Sequence, residues 1–116
     1  MSMPLTIVIL ITQNPKHTHR AVEGLRIALG LSTGPNPITI VLLGQAPLLL
    51  TDEVEEVIDA EIIEKHLPVI QELQLPLVVS QDATSQFDFD PGFSIQEASS
   101  DDIASLITKS DRILAF

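Results

Sequence analysis

The residues with the most evident chemistry lie in one short stretch, ITQNPKHTHRAVEGLRIALG at positions 11–30. Lys16, His17, His19 and Arg20 are four of the nine Lys, Arg and His residues in the chain. Free backbone N–H groups at a helix starting near His19, with the charges of Lys16 and Arg20 beside them, could seat a small anion. In an extended segment His17 and His19 would point the same way and could offer two imidazoles to a metal, with Asp82, Asp88 or Asp90 as a third ligand. In a helix they would stand about 200° apart. A histidine acting as general base needs a partnered nucleophile, and none is identifiable by spacing. The competing reading is a solvated turn whose charges balance nearby carboxylates. Neither GxGxxG nor GxxxxGK[ST] occurs, so no nucleotide fingerprint is present. The seven carboxylates between Asp52 and Glu64 read as a solvated face. The DFDPG stretch lacks the spacing and the closing Glu of a calcium loop.

These residues must be positioned by the elements around them. LTIVILIT (Leu5 to Thr12) and ITIVLL (Ile38 to Leu43) are continuous β-branched runs, the pattern of strands covered on both faces in a parallel sheet. Between them an amphipathic helix is predicted from about His19 to Leu31, stopped by Gly34, Pro35 and Pro37. Residues 45–74 read as interrupted helix. Thr51 is expected to cap a turn opening with Asp52 and Glu53. Asp59 is expected to cap a helix burying Ile63, Leu67, Ile70 and Leu73 and kinked at Pro68. LPLVVS (Leu75 to Ser80) is a third strand, residues 81–92 a polar loop, and FSIQEA a weak fourth strand. Ser99 or Ser100 with Asp101 and Asp102 starts a helix, and Asp111 opens a last strand, RILAF. The alternation predicts an α/β fold: a three-layer α/β/α sandwich with a mainly parallel sheet of about five strands. Ligands of such sheets gather at the carboxyl ends of the strands. The candidate ligand-binding rim is therefore Asn14, Lys16, His17, His19 and Arg20 after the first strand, Gln45 after the second, and Gln81 and Asp82 after the third. No catalytic residue, metal ligand or cofactor is assigned.

Composition removes several classes of function. At 116 residues and 45% apolar, the chain is of single-domain size and builds a core. A formal charge of −10 repels phosphate backbones and anionic membranes, so no nucleic-acid or membrane partner is expected. Four Phe with no Trp or Tyr leave little for base stacking. The chain has no cysteine, which excludes disulfides, thiolate nucleophiles and Cys-bound zinc. No apolar run approaches the ~20 residues of a membrane span, and PLTIVILIT lacks the flanks of a signal peptide. A cytoplasmic location is expected. The apolar PLLL (residues 47–50) and the terminal ILAF fit either core or an exposed interface.

The order of these segments resembles the DsrE/DsrF-like family, which includes sulfur-relay proteins of the TusBCD type. TIVILIT with the helix HRAVEGLRIALGL is similar to that family's opening, ITIVLLGQAPLLL to its second strand and following turn, and SSDDIASLITKSDRILAF to its last helix and strand. The resemblance implies one DsrE-like domain over residues 1–116, cytoplasmic, in a homo-oligomer (trimer or hexamer) or a hetero-oligomer with Cys-bearing relatives. Active members carry persulfide sulfur on a cysteine in the loop after the third strand. The corresponding VVSQDATSQF has Ser, Gln and Asp there, and a hydroxyl of ordinary acidity cannot replace a thiolate. The resemblance thus implies a non-catalytic partner subunit or a small-ligand or anion-binding module. The alternative is a small enzyme using the His17/His19 rim for acid–base or metal-assisted chemistry.

Overall fold

The computed structural model describes residues 4–116. Five parallel strands form one sheet in the order β4-β3-β2-β1-β5: β1 Ile7–Ile11, β2 Ile38–Leu42, β3 Leu77–Ser80, β4 Ile95–Ala98 and β5 Arg112–Ala115. Helices α1 (Arg20–Leu31), α2 (Ala60–Leu73), the single turn α3 (Ala83–Gln86) and α4 (Ser100–Lys109) connect them. Two 3₁₀ turns, Ala46–Leu50 and Asp52–Glu56, lie between β2 and α2. The predicted α/β/α layering and parallel sheet are present.

Alternation along β1 divides the core. Ile7, Ile9 and Ile11 face α1, α2 and the first 3₁₀ turn together with Ile40, Leu42, Leu77 and Val79. Val8 turns the other way and packs with Val41 and Val78 under Ile103 of α4, with Leu106 and Ile107 at its border. Both faces of the central strands are therefore covered, which is why their sequences are continuously apolar rather than alternating. β1 to β4 follow in spatial order, and α4 then carries the chain back across the sheet to place β5 against the other side of β1.

Local chemistry sets the element ends. Thr51 accepts a hydrogen bond on Oγ1 from the Glu53 N–H (3.1 Å) and donates to the Leu48 carbonyl (2.9 Å), capping the second 3₁₀ turn as anticipated. Ser99 Oγ accepts from the Asp102 N–H at 3.1 Å and starts α4. Asp59 stands ahead of α2 but does not cap it with its side chain. It adopts a left-handed backbone (φ 64°), and its carbonyl receives the N–H groups of Ile62 and Ile63. Asp tolerates that backbone better than most residues. α2 continues through Pro68 on its exposed side, and Leu73, expected in the core, is 52% exposed.

The two undecided apolar stretches separate cleanly. Pro47 to Leu50 are all buried, so PLLL is core. Ile113 and Leu114 in the outer strand β5 are 44% and 39% exposed, so that end of the chain presents apolar surface.

Candidate functional site

The loop after β1 is built by Asn14. Its Oδ1 accepts the Lys16 N–H at 2.9 Å, and its carbonyl accepts the N–H groups of His17 and Thr18. Pro15 is buried beneath the turn, and its carbonyl accepts the Ile58 N–H at 2.9 Å, pinning the loop to the segment before α2. Asn14 is therefore a turn-forming residue whose side-chain oxygen is already engaged.

That anchoring sets Lys16 against the acidic 3₁₀ turn. Its Nζ lies 3.0 Å from Glu56 and 3.3 Å from Glu53. Hydrogen bonds to Glu56 and then Glu53 hold the ammonium above its ordinary pKa. Arg20 turns to the sheet instead. Its Nη2 donates to the Ala115 carbonyl at 3.2 Å, and its guanidinium stands 5.8 Å from the centre of the Phe116 ring. His19 Nε2 is 3.9 Å from Glu23 Oε2, one helical turn on. His17 is exposed. α1 begins at Arg20, with no side-chain cap at His19. Lys16, Arg20 and His19 thus take three separate sets of partners, and His17 lies exposed, rather than the four gathering around one point.

The strand order reverses between β1 and β5, where an open parallel sheet usually binds its ligand. Here that crevice is closed. The Phe116 N–H donates to the Leu10 carbonyl (2.8 Å), the Thr12 N–H donates to the Phe116 carbonyl (2.9 Å), and the Arg20–Phe116 contact lies over them. Among the described residues no three His, Asp or Glu side chains are grouped so that they could hold a metal ion.

Gln45 precedes the buried 3₁₀ turn and is exposed. Gln81 and Asp82 are exposed in the turn after β3 and line a cleft of about 410 Å³ with Leu43, Ser80, Ala98 and the α4 residues Ser100, Ile103, Ala104 and Ile107. This cleft at the carboxyl edge joins two of the eight candidate rim residues to an apolar wall. Its α4 side was not anticipated, because only the leap of α4 across the sheet brings that helix beside the β3 turn. The Ser99–Asp102 helix start was visible in the sequence, but its neighbour was not. The walls can accommodate an apolar group with hydrogen bonding at one end, and they supply no thiol, cation or metal ligand set.

A parallel five-stranded sheet with α1 and α2 on one face and α4 on the other is a three-layer α/β/α protein. The chain belongs to the DsrE/DsrF-like family, whose model matches residues 6–116. The crystal structure of the ychN protein from E. coli is similar in fold, with a TM-score of 0.67 over 98% of this chain and 100% of that one, at 13% identity. No curated protein sequence matches the chain. Family membership relates the chain to sulfur-relay proteins, which often form oligomers. No helix among the described residues is long and apolar enough to cross a membrane.

Proposed function

We propose that this chain is a non-catalytic DsrE-like protein, a partner subunit in an oligomeric assembly related to sulfur relay. The observation that carries the reading is chemical. The turn after β3, where the family resemblance locates the sulfur acceptor, consists of Ser80, Gln81 and Asp82, and no cysteine occurs in the chain. Persulfide transfer requires a thiolate to attack the sulfane sulfur and retain it as a new S–S bond. A serine hydroxyl offers neither the ionisation nor the bond.

Anion binding at the β1 loop is the less favoured form of this reading, because Lys16 is already neutralised by Glu53 and Glu56 and Arg20 is held by Ala115. The enzyme alternative finds His17 and His19 exposed, and among the described residues the one hydroxyl between them, Thr18 Oγ1, accepts the Arg20 N–H rather than bonding to either imidazole. Apolar surface on β5 and on α2 supports association instead.

The test offers the chain a cysteine desulfurase charged with ³⁵S-persulfide, with and without a Cys-bearing DsrE-like relative. The expected result is no label on this chain in either case, together with a stable complex with itself or with the relative. Label retained on this chain, or a chain that joins neither, would overturn the reading.

A further inference from the structure

Helix α2 has more apolar surface than its own core uses. Ile63, Leu67 and Ile70 are buried against the sheet, whereas Ile62, Val69 and Leu73 are 45%, 39% and 52% exposed. At 3.6 residues per turn, Ile62, His66, Val69 and Leu73 fall within about 60° of one another, about 100° round the helix from the buried set. Their steps of four, three and four residues are the d-a-d-a alternation of a coiled-coil seam. The amino-terminal end of the stripe opens into a groove of about 230 Å³ between α1 and α2, lined by His19, Val22, Glu23, Arg26, Asp59 and Ile62. Isolated exposed apolar side chains are ordinary. Three of the seven large ones among the described residues standing in register on one helix are not.

The charges beside the stripe identify its occupant. Lys65 and Glu72, both exposed, stand seven residues apart on the outer border, at consecutive g positions. When α2 of a second copy lies antiparallel across the first, Ile62 meets Leu73 of the second copy and His66 meets Val69. In that arrangement g positions face g positions, so Lys65 of each copy comes against Glu72 of the other, twice by symmetry. Parallel helices would set g against e. The e positions here are Ile63 and Ile70, which are buried in the chain's own core. The stripe and its border are therefore complementary to themselves in the antiparallel sense.

We infer that the outer face of α2 is a two-fold docking surface for a second copy of this chain. The inference rests on the oligomeric-subunit reading and names its partner.

Sedimentation equilibrium of the full chain tests it. The wild type should form a reversible dimer. Ile62→Ser and Val69→Ser alter exposed positions, so circular dichroism should show an intact fold. A two-fold interface receives each change twice, so a loss of about tenfold per site appears as about a hundredfold in the dimer Kd. Lys65→Glu and Glu72→Lys should each weaken self-association, and an equimolar mixture of the two variants should recover it, because every border contact then joins opposite charges. Lack of recovery in the mixture overturns the antiparallel pairing. Self-association untouched by Ile62→Ser and Val69→Ser overturns the α2 surface but leaves the oligomeric-subunit reading standing, with the contact elsewhere. A wild type that stays monomeric yet joins a Cys-bearing relative has the same meaning. A chain that associates with neither defeats both.

Discussion

Two glycines in α1 offer a matched experiment on how that helix is held. A Cβ at Gly24 would lie 3.0 Å from both Cγ1 and Cδ1 of Ile11 and 3.1 Å from Cδ2 of Phe116. Ile11 is fully buried, so its side chain has no free direction in which to retreat. A Cβ at Gly30 would meet nothing within 4 Å. Replacing glycine by alanine in a helix stabilises by about 0.5–1 kcal/mol through backbone entropy and propensity, with the smaller figure apt for Gly30 in the last turn. At Gly24 the same gain of about 1 kcal/mol is opposed by about 1–3 kcal/mol of overpacking. The expected outcome is Gly30→Ala more stable by about 0.5 kcal/mol and Gly24→Ala less stable by about 1 kcal/mol. In a domain of this size that separation is a difference of about 6 °C in Tm. Urea unfolding at one fixed protein concentration reads both, with the slope unchanged and the midpoint moved. Gly24→Ala equal to or more stable than Gly30→Ala would refute the close docking of α1 on Ile11 and the terminal strand.

Other expectations follow from single contacts. Leu49→Ala empties a fully buried site under the sheet and should lower stability by about 2–5 kcal/mol, whereas Leu114→Ala on the exposed edge strand should change the isolated chain by less than about 1 kcal/mol. Asp111 accepts hydrogen bonds from Thr6 N–H (2.8 Å) and Oγ1–H (3.0 Å), and these hold its carboxyl below the ordinary Asp value. A depressed folded-state pKa gives stability that is present above the unfolded pKa and lost as pH falls through the folded one. Asp111→Asn should therefore flatten the acid limb of a stability–pH curve and leave its alkaline limb unchanged. Lys16 is shifted upward by Glu56 and Glu53, so its contribution is present below the unfolded pKa and lost as pH rises through the folded one. Lys16→Met should remove an alkaline loss that the wild type shows, and added salt should reduce the difference between the two proteins.

How far the sequence foretells this molecule depends on which distances the physics spans. Strands whose neighbours cover both faces must be continuously apolar, so IVILI, ITIVL and LVV stand out without coordinates. The Thr51 cap was legible, and the start of α4 was narrowed to Ser99 or Ser100, because a cap is settled within three residues; the structure selects Ser99. Asp59 shows the limit of that reasoning: its type suits a cap, yet the left-handed backbone directs only its carbonyl at the helix. Order across the sheet was not legible. Nothing in SDRILAF distinguishes a strand beside β4 from one beside β1, and from that choice follow the closure of the β1–β5 crevice by Arg20 and Phe116 and the exposure of Ile113 and Leu114. The ambiguity of PLLL had the same cause, because burial of a 3₁₀ turn depends on the helices beside it. At the candidate rim, residue type located the charged loop, but the partners of Lys16 lie 37 and 40 positions further on (Glu53 and Glu56). What resembled an open anion site is a tie between two parts of the fold.

Native mass spectrometry of the chain isolated gently from its own source tests the account most directly, because it preserves whatever assembly the chain joins. The account predicts a mass of more than one subunit, made of further copies of this chain or of copies with Cys-bearing relatives, and any sulfur adduct on the relatives alone. A single subunit at every concentration, carrying a bound metal or metabolite, would contradict it and return attention to the His17 and His19 loop.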